Sequence, residues 1–508
     1  MRRKANRILQ KRVGGRSLAL ILWLSLAILS GCMVGPNFKR PPTTMPPDWA
    51  GPTAESRPVT PADAELARWW ILFDDPTLVS LIEQAVQSNL DLKQAEARMR
   101  QSRAARSVVA AGIGPTVDAT GAYQRSGSAG GTNGKSEGNI SNQYQTGFDA
   151  GWELDIFGGV RRAIEAADAD LQAAMETRRD VMVTLTAEVA RNYIDLRAFQ
   201  ERIAIGRRNL ETQKHSAALT RQRFEAGFVG ALDVANADAQ VATTASQIPL
   251  LEASARQTIY SLSILLGKDP AALVRELSPV AAIPLASPSI PLGVPSDLLR
   301  RRPDIRRAEV EIHAATARIG VATADLFPRF TISGSAGVRA SDFSSWFDWA
   351  SRIWSFGPSV SWNLFSMGRT RSTIEQQRAL QDQSLITYQQ TVLAALQEVE
   401  NALIASAKEA EHYRALREAV GANRKAVELA TTLYTQGNTD FLNVLDAQRS
   451  LYASEDALIQ STGSVSTNLV ALFKSLGGGW SEEQEQKPAV RPDSKNLPDQ
   501  AVDRGNDS

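Results

Sequence analysis

The chain has 508 residues, 56 Lys and Arg against 55 Asp and Glu, 43% hydrophobic residues and one cysteine. One cysteine excludes an internal disulfide framework and a cysteine-built zinc site. Seven basic residues and no acidic one fall in the first 31 positions, leaving 49 basic against 55 acidic beyond them. That net charge of −6 gives nucleic-acid binding no electrostatic basis.

In chain order, the first element is an export signal over residues 1–31. Arg2, Arg3, Lys4, Arg7, Lys11, Arg12 and Arg16 precede an apolar stretch from Leu18 to Leu29, and Leu29-Ser30-Gly31 leads into Cys32. Small residues ahead of a cysteine suit a peptidase that cuts before an acylated thiol. The mature chain is therefore expected to begin at Cys32, carrying S-diacylglycerol and an N-acyl group. Each buried methylene adds about 0.8 kcal/mol, so several chains anchor where one does not. A buried structural cysteine is the plain alternative. Met33 stands where an aspartate would mark inner-membrane retention, which by analogy favours the outer membrane. Residues 32–75, rich in Pro and Thr up to residue 62, read as an extended lipid-anchored segment.

No second apolar run reaches the ~18 residues of a spanning helix, so a membrane crossing has to use strands. The rest of the chain is one element built twice, over 76–267 and 296–477. Gly151-Trp152-Glu153-Leu154 recurs as Ser361-Trp362-Asn363-Leu364, Glu188-Val189 as Glu398-Val399, and Leu266-Gly267 as Leu476-Gly477. A proline-rich connector over 268–295 joins the copies.

Each copy carries two alternating segments. From Tyr144 to Ile156 one set is Tyr144, Thr146, Phe148, Ala150, Trp152, Leu154 and Ile156, while Gln145, Asp149, Glu153 and Asp155 fall on the other face. Phe356, Pro358, Val360, Trp362 and Leu364 repeat this, and Val117–Tyr123 and Phe330–Val338 precede the two. A period of two with polar partners suits strands between lipid and water, although a soluble sheet alternates in the same way. Loops from Ser126 to Asn142 and from Ala340 to Trp354 separate the pairs. Four strands leave two open edges and fall short of the roughly eight that close a membrane barrel, so the chain has to oligomerise.

Long helices follow. Gly159 to Phe224 has no proline and could form a rod of ~100 Å. In copy two, Leu385, Tyr388, Val392, Leu396, Val399 and Leu403 form a packing stripe. Breaks at Gly227-Phe228-Val229-Gly230 and Gly437-Asn438-Thr439-Asp440 reverse the chain, and return helices end near Gly267 and Gly477. The tail 481–508 is polar and reads as disordered.

Catalysis finds no support. His215, His313 and His412 lie apart without metal-ligand spacing, and neither a nucleophile elbow nor a phosphate loop is present. The reading is a non-enzyme with no metal and no cofactor beyond the covalent lipid.

Four motifs together carry a resemblance: Cys32-Met33-Val34-Gly35-Pro36, Trp69-Trp70 to Asp74-Asp75-Pro76, Arg301-Arg302-Pro303-Asp304-Ile305, and Leu445-Asp446-Ala447-Gln448-Arg449-Ser450-Leu451. Over residues 32–480 the chain resembles the TolC-like outer membrane factors, in the NodT-type lipoprotein branch of resistance-nodulation-division efflux systems. The resemblance implies a mixed α and β membrane protein. Three copies would form a 12-stranded β-barrel in the bacterial outer membrane, continuing into a periplasmic α-helical barrel. It also implies a passive exit duct for small toxic compounds, fed by a proton-driven inner-membrane pump through a periplasmic adaptor.

By the same resemblance, Gly227, Gly230, Ala231, Leu232 and Asp233, with Gly437, Thr439, Phe441, Leu442 and Asn443, match adaptor-contact turns. Ending helices and packing would also explain them. Leu442, Asp446 and Arg449 match the narrow end of the tunnel. Copy one has Asn236 and Ala239 where copy two has Asp446 and Arg449, and an i, i+3 surface ion pair is the simpler reading of those two. Three carboxylates on one axis would repel each other and attract counter-ions. A polypeptide-secretion duct of the same architecture and a pore-free lipid-anchored coiled-coil scaffold are the alternatives. The transported compound, the pump and adaptor, and whether pH, cations or the adaptor open the aperture stay open at this point.

Overall fold

A computed structural model describes residues 33–50, 66–127, 140–286 and 295–481. The signal segment, Cys32, residues 128–139 of the first loop and the tail from 482 lie outside the described residues. In chain order the elements are a 3-10 turn (Trp69–Phe73), α1 (Pro76–Ser88), α2 (Leu90–Ala111), β1 (Thr116–Gly127) and β2 (Ile140–Leu154). Then come α3 (Gly159–Glu225), α4 (Ala231–Leu265), the single turns α5 (Val274–Leu277) and α6 (Leu298–Arg301), and α7 (Pro303–Ala324). The chain ends on β3 (Arg329–Ala340), β4 (Arg352–Ser361), α8 (Arg369–Thr435) and α9 (Phe441–Ser475).

The duplication is visible in these lengths. α3 and α8 each have 67 residues, α4 and α9 each 35, α2 and α7 each 22, and β1 and β3 each 12. At ~1.5 Å per residue the 67-residue helices are each ~100 Å long. No helix among the described residues is long and apolar enough to cross a membrane.

Two compact units divide the chain. The first, Met1–Ala50, Ser88–Val181 and Pro295–Asn401, holds all four strands. Its helices start on side-chain caps where the sequence supplies them: the Asn89 carbonyl oxygen accepts the Leu92 N–H at 2.9 Å, at the head of α2. Pro303 opens α7, where its missing N–H costs nothing. Beside it Arg302 is 8% exposed and donates to Asp304 and, at 2.7 Å, to Glu398 of α8. The Arg-Arg-Pro-Asp motif is thus a clasp between two helices. Residues 33–50 run extended over this unit, tied by Thr43 to Tyr388 at 2.9 Å and by the Ala50 N–H to Glu400 at 2.8 Å.

The second unit is Gly51–Gln87, Met182–Val294 and Ala402–Ser508. Here the extended segment expected up to residue 75 gives way to helix. Trp69, Trp70 and Phe73 in a 3-10 turn bury together, and Trp69, at 0% exposure, stacks on Phe473 with ring centroids 5.3 Å apart. Three large aromatics gain more by burying together against Phe473 than by lying extended in water. The Gly479 N–H closes this core by donating to the Leu66 carbonyl at 2.9 Å. α4 continues through Pro249 without ending there.

Candidate functional site

The strands form one antiparallel sheet in the order β1-β2-β3-β4. Its register puts Val117, Ala150, Gly334 and Phe356 in one row and Asp118, Asp149, Ser335 and Ser355 in the next. Alternation at the level of sequence therefore becomes two chemically distinct faces. On the apolar face Phe148 is 62% exposed, Trp354 80% and Phe356 72%. The polar face is laced by its own hydrogen bonds: Thr120 to Asp149 at 2.9 Å, Thr331 with Ser359 at 2.6 Å, Ser335 with Ser355 at 2.8 Å. A row of exposed aromatics on a sheet of 10 to 15-residue strands is costly in water and natural against hydrocarbon.

At the base of the sheet the two repeats use the same device. Trp152 Nε1 donates to the Ile113 carbonyl at 2.9 Å and Trp362 Nε1 to the Leu326 carbonyl at 3.0 Å. Each indole keeps its polar edge satisfied while its rings stay exposed. Strands extend further than the expected loops allowed at Gly127 and Ile140, and β4 begins at Arg352. The alternation past Ser361 does not stay in a strand, so Trp362 and Leu364 belong to the connection. In the 341–351 loop Phe343 and Trp346 pack against Tyr144, and Arg352 lies 3.1 Å over the Trp349 ring. β1 and β4 are the sheet's outer edges, each with one side unpaired in this chain.

The hairpin tips lie in the second unit. Gly227 and Gly437 sit at φ +79° and +77°, and the N–H groups of Phe228 and Asn438 return to the carbonyls of Arg223 and Leu433 at 2.8 and 2.9 Å. These six-to-one bonds end the helices as only a left-handed residue allows. Gly230 and Asp233 open α4, the Gly230 N–H reaching Asp233 Oδ2 at 3.3 Å, while Asn443 donates to Thr439 at 2.7 Å in the second turn. Ala231, Leu232, Leu442 and Asn443 are exposed, with Leu232 at 71% and Leu442 at 54%.

Phe441 corrects the expected contact surface: it is 2% exposed and packs with Tyr434, Val444 and Leu445 against Ala217 and Ala237 of repeat one. Its ring has a hydrophobic seat inside the protomer, so it has nothing left to offer a partner. Phe228 at the other tip is 75% exposed and was not singled out by the sequence reading. An aromatic between two glycines in a reversing turn was the available signal.

Leu442, Asp446 and Arg449 share one exposed stripe of α9, at i, i+4 and i+7, opposite the buried Phe441, Val444, Leu445 and Gln448. The simple ion pair is replaced. Arg449 Nε donates across to Gln240 Oε1 of α4 at 2.6 Å, and no ion pair joins it to Asp446 among the described residues. Gln240 is 7% exposed and passes a bond on to Thr244, so Arg449 is held by repeat one. Among the histidines, His313 contacts Glu165 and Phe38, and His215 and His412 are exposed.

Residues 81–268 and 294–478 match the model of the outer membrane efflux protein family. A toluene efflux pump outer membrane protein of Pseudomonas putida, TtgF, is 33% identical over 475 residues, covering 91% of this chain and 98% of its own. Nodulation protein T of Rhizobium leguminosarum is 31% identical over 453 residues, covering 89% and 96%. The solved outer-membrane channel OprN is 40% identical and superimposes with a TM-score of 0.81 over 88% of this chain and 100% of that one. A two-faced sheet with open edges, carried on duplicated helical hairpins, is thus the fold of a transport component of the outer membrane. This chain belongs to the outer membrane efflux protein family.

Proposed function

We propose that three copies close their sheets edge to edge into one 12-stranded barrel and that their helices continue as a periplasmic tunnel, through which small toxic compounds leave passively. The sheet carries this reading: β1 and β4 are unpaired outward and the apolar face is ready for lipid, so the edges are satisfied only by neighbours. Energy would enter at an inner-membrane pump, linked through a periplasmic adaptor that docks on Gly227–Asp233 and on Gly437, Thr439, Leu442 and Asn443. The relative named for toluene supports an apolar toxic cargo. Cys32 would carry the acyl chains that anchor the complex, and Leu442, Asp446 and Arg449 would line the narrow end.

The experiment is the mass and the conductance of the full chain purified in detergent. Three chains per particle, with stable ion-conducting steps in a planar bilayer, are expected. A single chain per particle without conductance would remove the duct.

A further inference from the structure

The residues that follow Cys32 are gripped far more specifically than a tether needs. The Val34 N–H donates to the Phe157 carbonyl at 3.1 Å. Arg162, near the start of α3, is 2% exposed and donates from Nε to the Val34 carbonyl at 3.1 Å and from Nη2 to Asn37 Oδ1 at 2.7 Å and the Gly35 carbonyl at 3.4 Å. Its remaining arm binds Glu165 at 2.7 Å.

Steric fit is as close as the hydrogen bonding. Gly35 has φ +88°, and a Cβ there would lie 2.5 Å from the Cα of Gly320; a Cβ on Gly320 would lie 2.8 Å from Cδ of Arg162. Gly158, at φ +78°, leaves room for Met33, whose Cα would be 2.9 Å from a Cβ at that position. Only glycine serves at such crossings. Beyond them Phe38 stacks on His313 at 4.6 Å, and His313 Nε2 meets Glu165 Oε1 at 2.9 Å.

We propose that Arg162, Gly158, Gly320 and His313 form a receptor site whose ligand is the chain's own acylated N-terminal peptide, Met33 to Arg40, and which fixes the lipid anchor at the base of the sheet. A guanidinium so deeply buried needs acceptors in place, and only Glu165 comes from its own helix. The other acceptors belong to the peptide, so peptide and seat complete each other. In repeat two the matching residue is Ser372, exposed, so the guanidinium of the seat belongs to repeat one alone. Seating brings Met33 against Gly158, where β2 has turned into α3. The acyl chains then enter the bilayer beside the apolar face rather than at the end of a loose leash. This rests on the reading of Cys32 as acylated.

Trypsin cleavage after Lys39 of the full-length protein in detergent tests it, because the cut frees the peptide Cys32–Lys39 for mass spectrometry. Each hydrogen bond to a charged group is worth about tenfold or more in opening. Arg162→Ala should therefore be cut roughly 100-fold faster than the parent, and Asn37→Ala, which leaves every helix intact, about tenfold faster. Cleavage at Arg221 and Arg223, distant in sequence and in the other unit, should not change. Parental rates at Lys39 in both variants would overturn the seat. A freed peptide lacking acyl chains would instead overturn the acylation on which its role as an anchor site depends.

Discussion

Repeat one and repeat two build helices of equal length and bury different things with them. At the tips, Tyr434 and Phe441 of repeat two are 3% and 2% exposed, whereas Phe224, which occupies the place of Tyr434 in repeat one, is 43% exposed. Arg223 completes the difference, lying 4.5 Å over the Tyr434 ring. At the sheet-to-helix turns, Asp155 of repeat one accepts the Val160 and Arg161 N–H groups at 3.0 and 2.9 Å, while Phe365 in the same place of repeat two is 80% exposed. The two repeats share the lengths of their long helices and differ in which half packs inward and which half stays exposed. The surfaces that one repeat leaves uncovered are where the proposed neighbours, lipid and adaptor would act.

The largest effect should come from exchanging the two tips' roles. Phe441→Ala removes a buried ring and should cost about 3 kcal/mol locally. Hydrogen exchange of the tip amides should then speed up roughly 100-fold. Phe228→Ala should leave exchange within about 0.5 kcal/mol of the parent and yet weaken efflux in cells, because its ring is 75% exposed in the protomer. Equal destabilisation by the two variants would erase the distinction between a packing tip and a presenting tip.

A smaller effect is expected at the stripe that only repeat two possesses. Arg449 is tied to Gln240, so Asp446→Ala combined with Arg449→Ala should loosen α9 from α4. A charge-assisted bond of ~1.5 kcal/mol corresponds to about tenfold in the open-to-closed ratio, seen as raised conductance of the purified channel. Asn236→Ala in repeat one should leave conductance as it was. Unchanged conductance in the double variant would remove the stripe from the aperture.

Periodicity made much of the fold legible before any coordinates. Alternation from Tyr144 to Leu154 and the proline-free run after Gly159 depend on local rules, and both became regular elements. What stayed hidden depends on contacts between residues hundreds of positions apart. Phe441 looked like a tip residue because nothing nearby in sequence reveals that Ala217 and Ala237 lie over it. Trp69 to Phe73 looked extended because its core partner, Phe473, is 400 positions away. Arg449 reads as the partner of Asp446 from spacing alone, whereas it donates to Gln240, 209 positions away. The Arg162 seat had one faint signal, an arginine in repeat one aligned with Ser372, and its meaning required Gly35 and Gly320 to be brought together.

The smallest expected effect is a titration, and it again separates the repeats, because repeat two has no Glu165–Arg162 pair. Burial alone would raise the Glu165 carboxyl, but the hydrogen bonds from His313 and Arg162 outweigh it and hold the group below its ordinary value of 4.5. A depressed carboxylate contributes stability that is complete above 4.5 and is lost as pH falls through the lower folded value. Hydrogen exchange of residues 33–40, corrected for intrinsic rates, should therefore quicken as pH falls below 4.5. Glu309 of α7, which binds Arg40 at 2.6 Å, also ties down the strap and stays in place when Glu165→Gln is made. If Glu165 is the source, that variant should flatten most of the acid response while retaining the Arg162 bonds to Val34 and Asn37. An undiminished acid response would leave Glu165 a bystander.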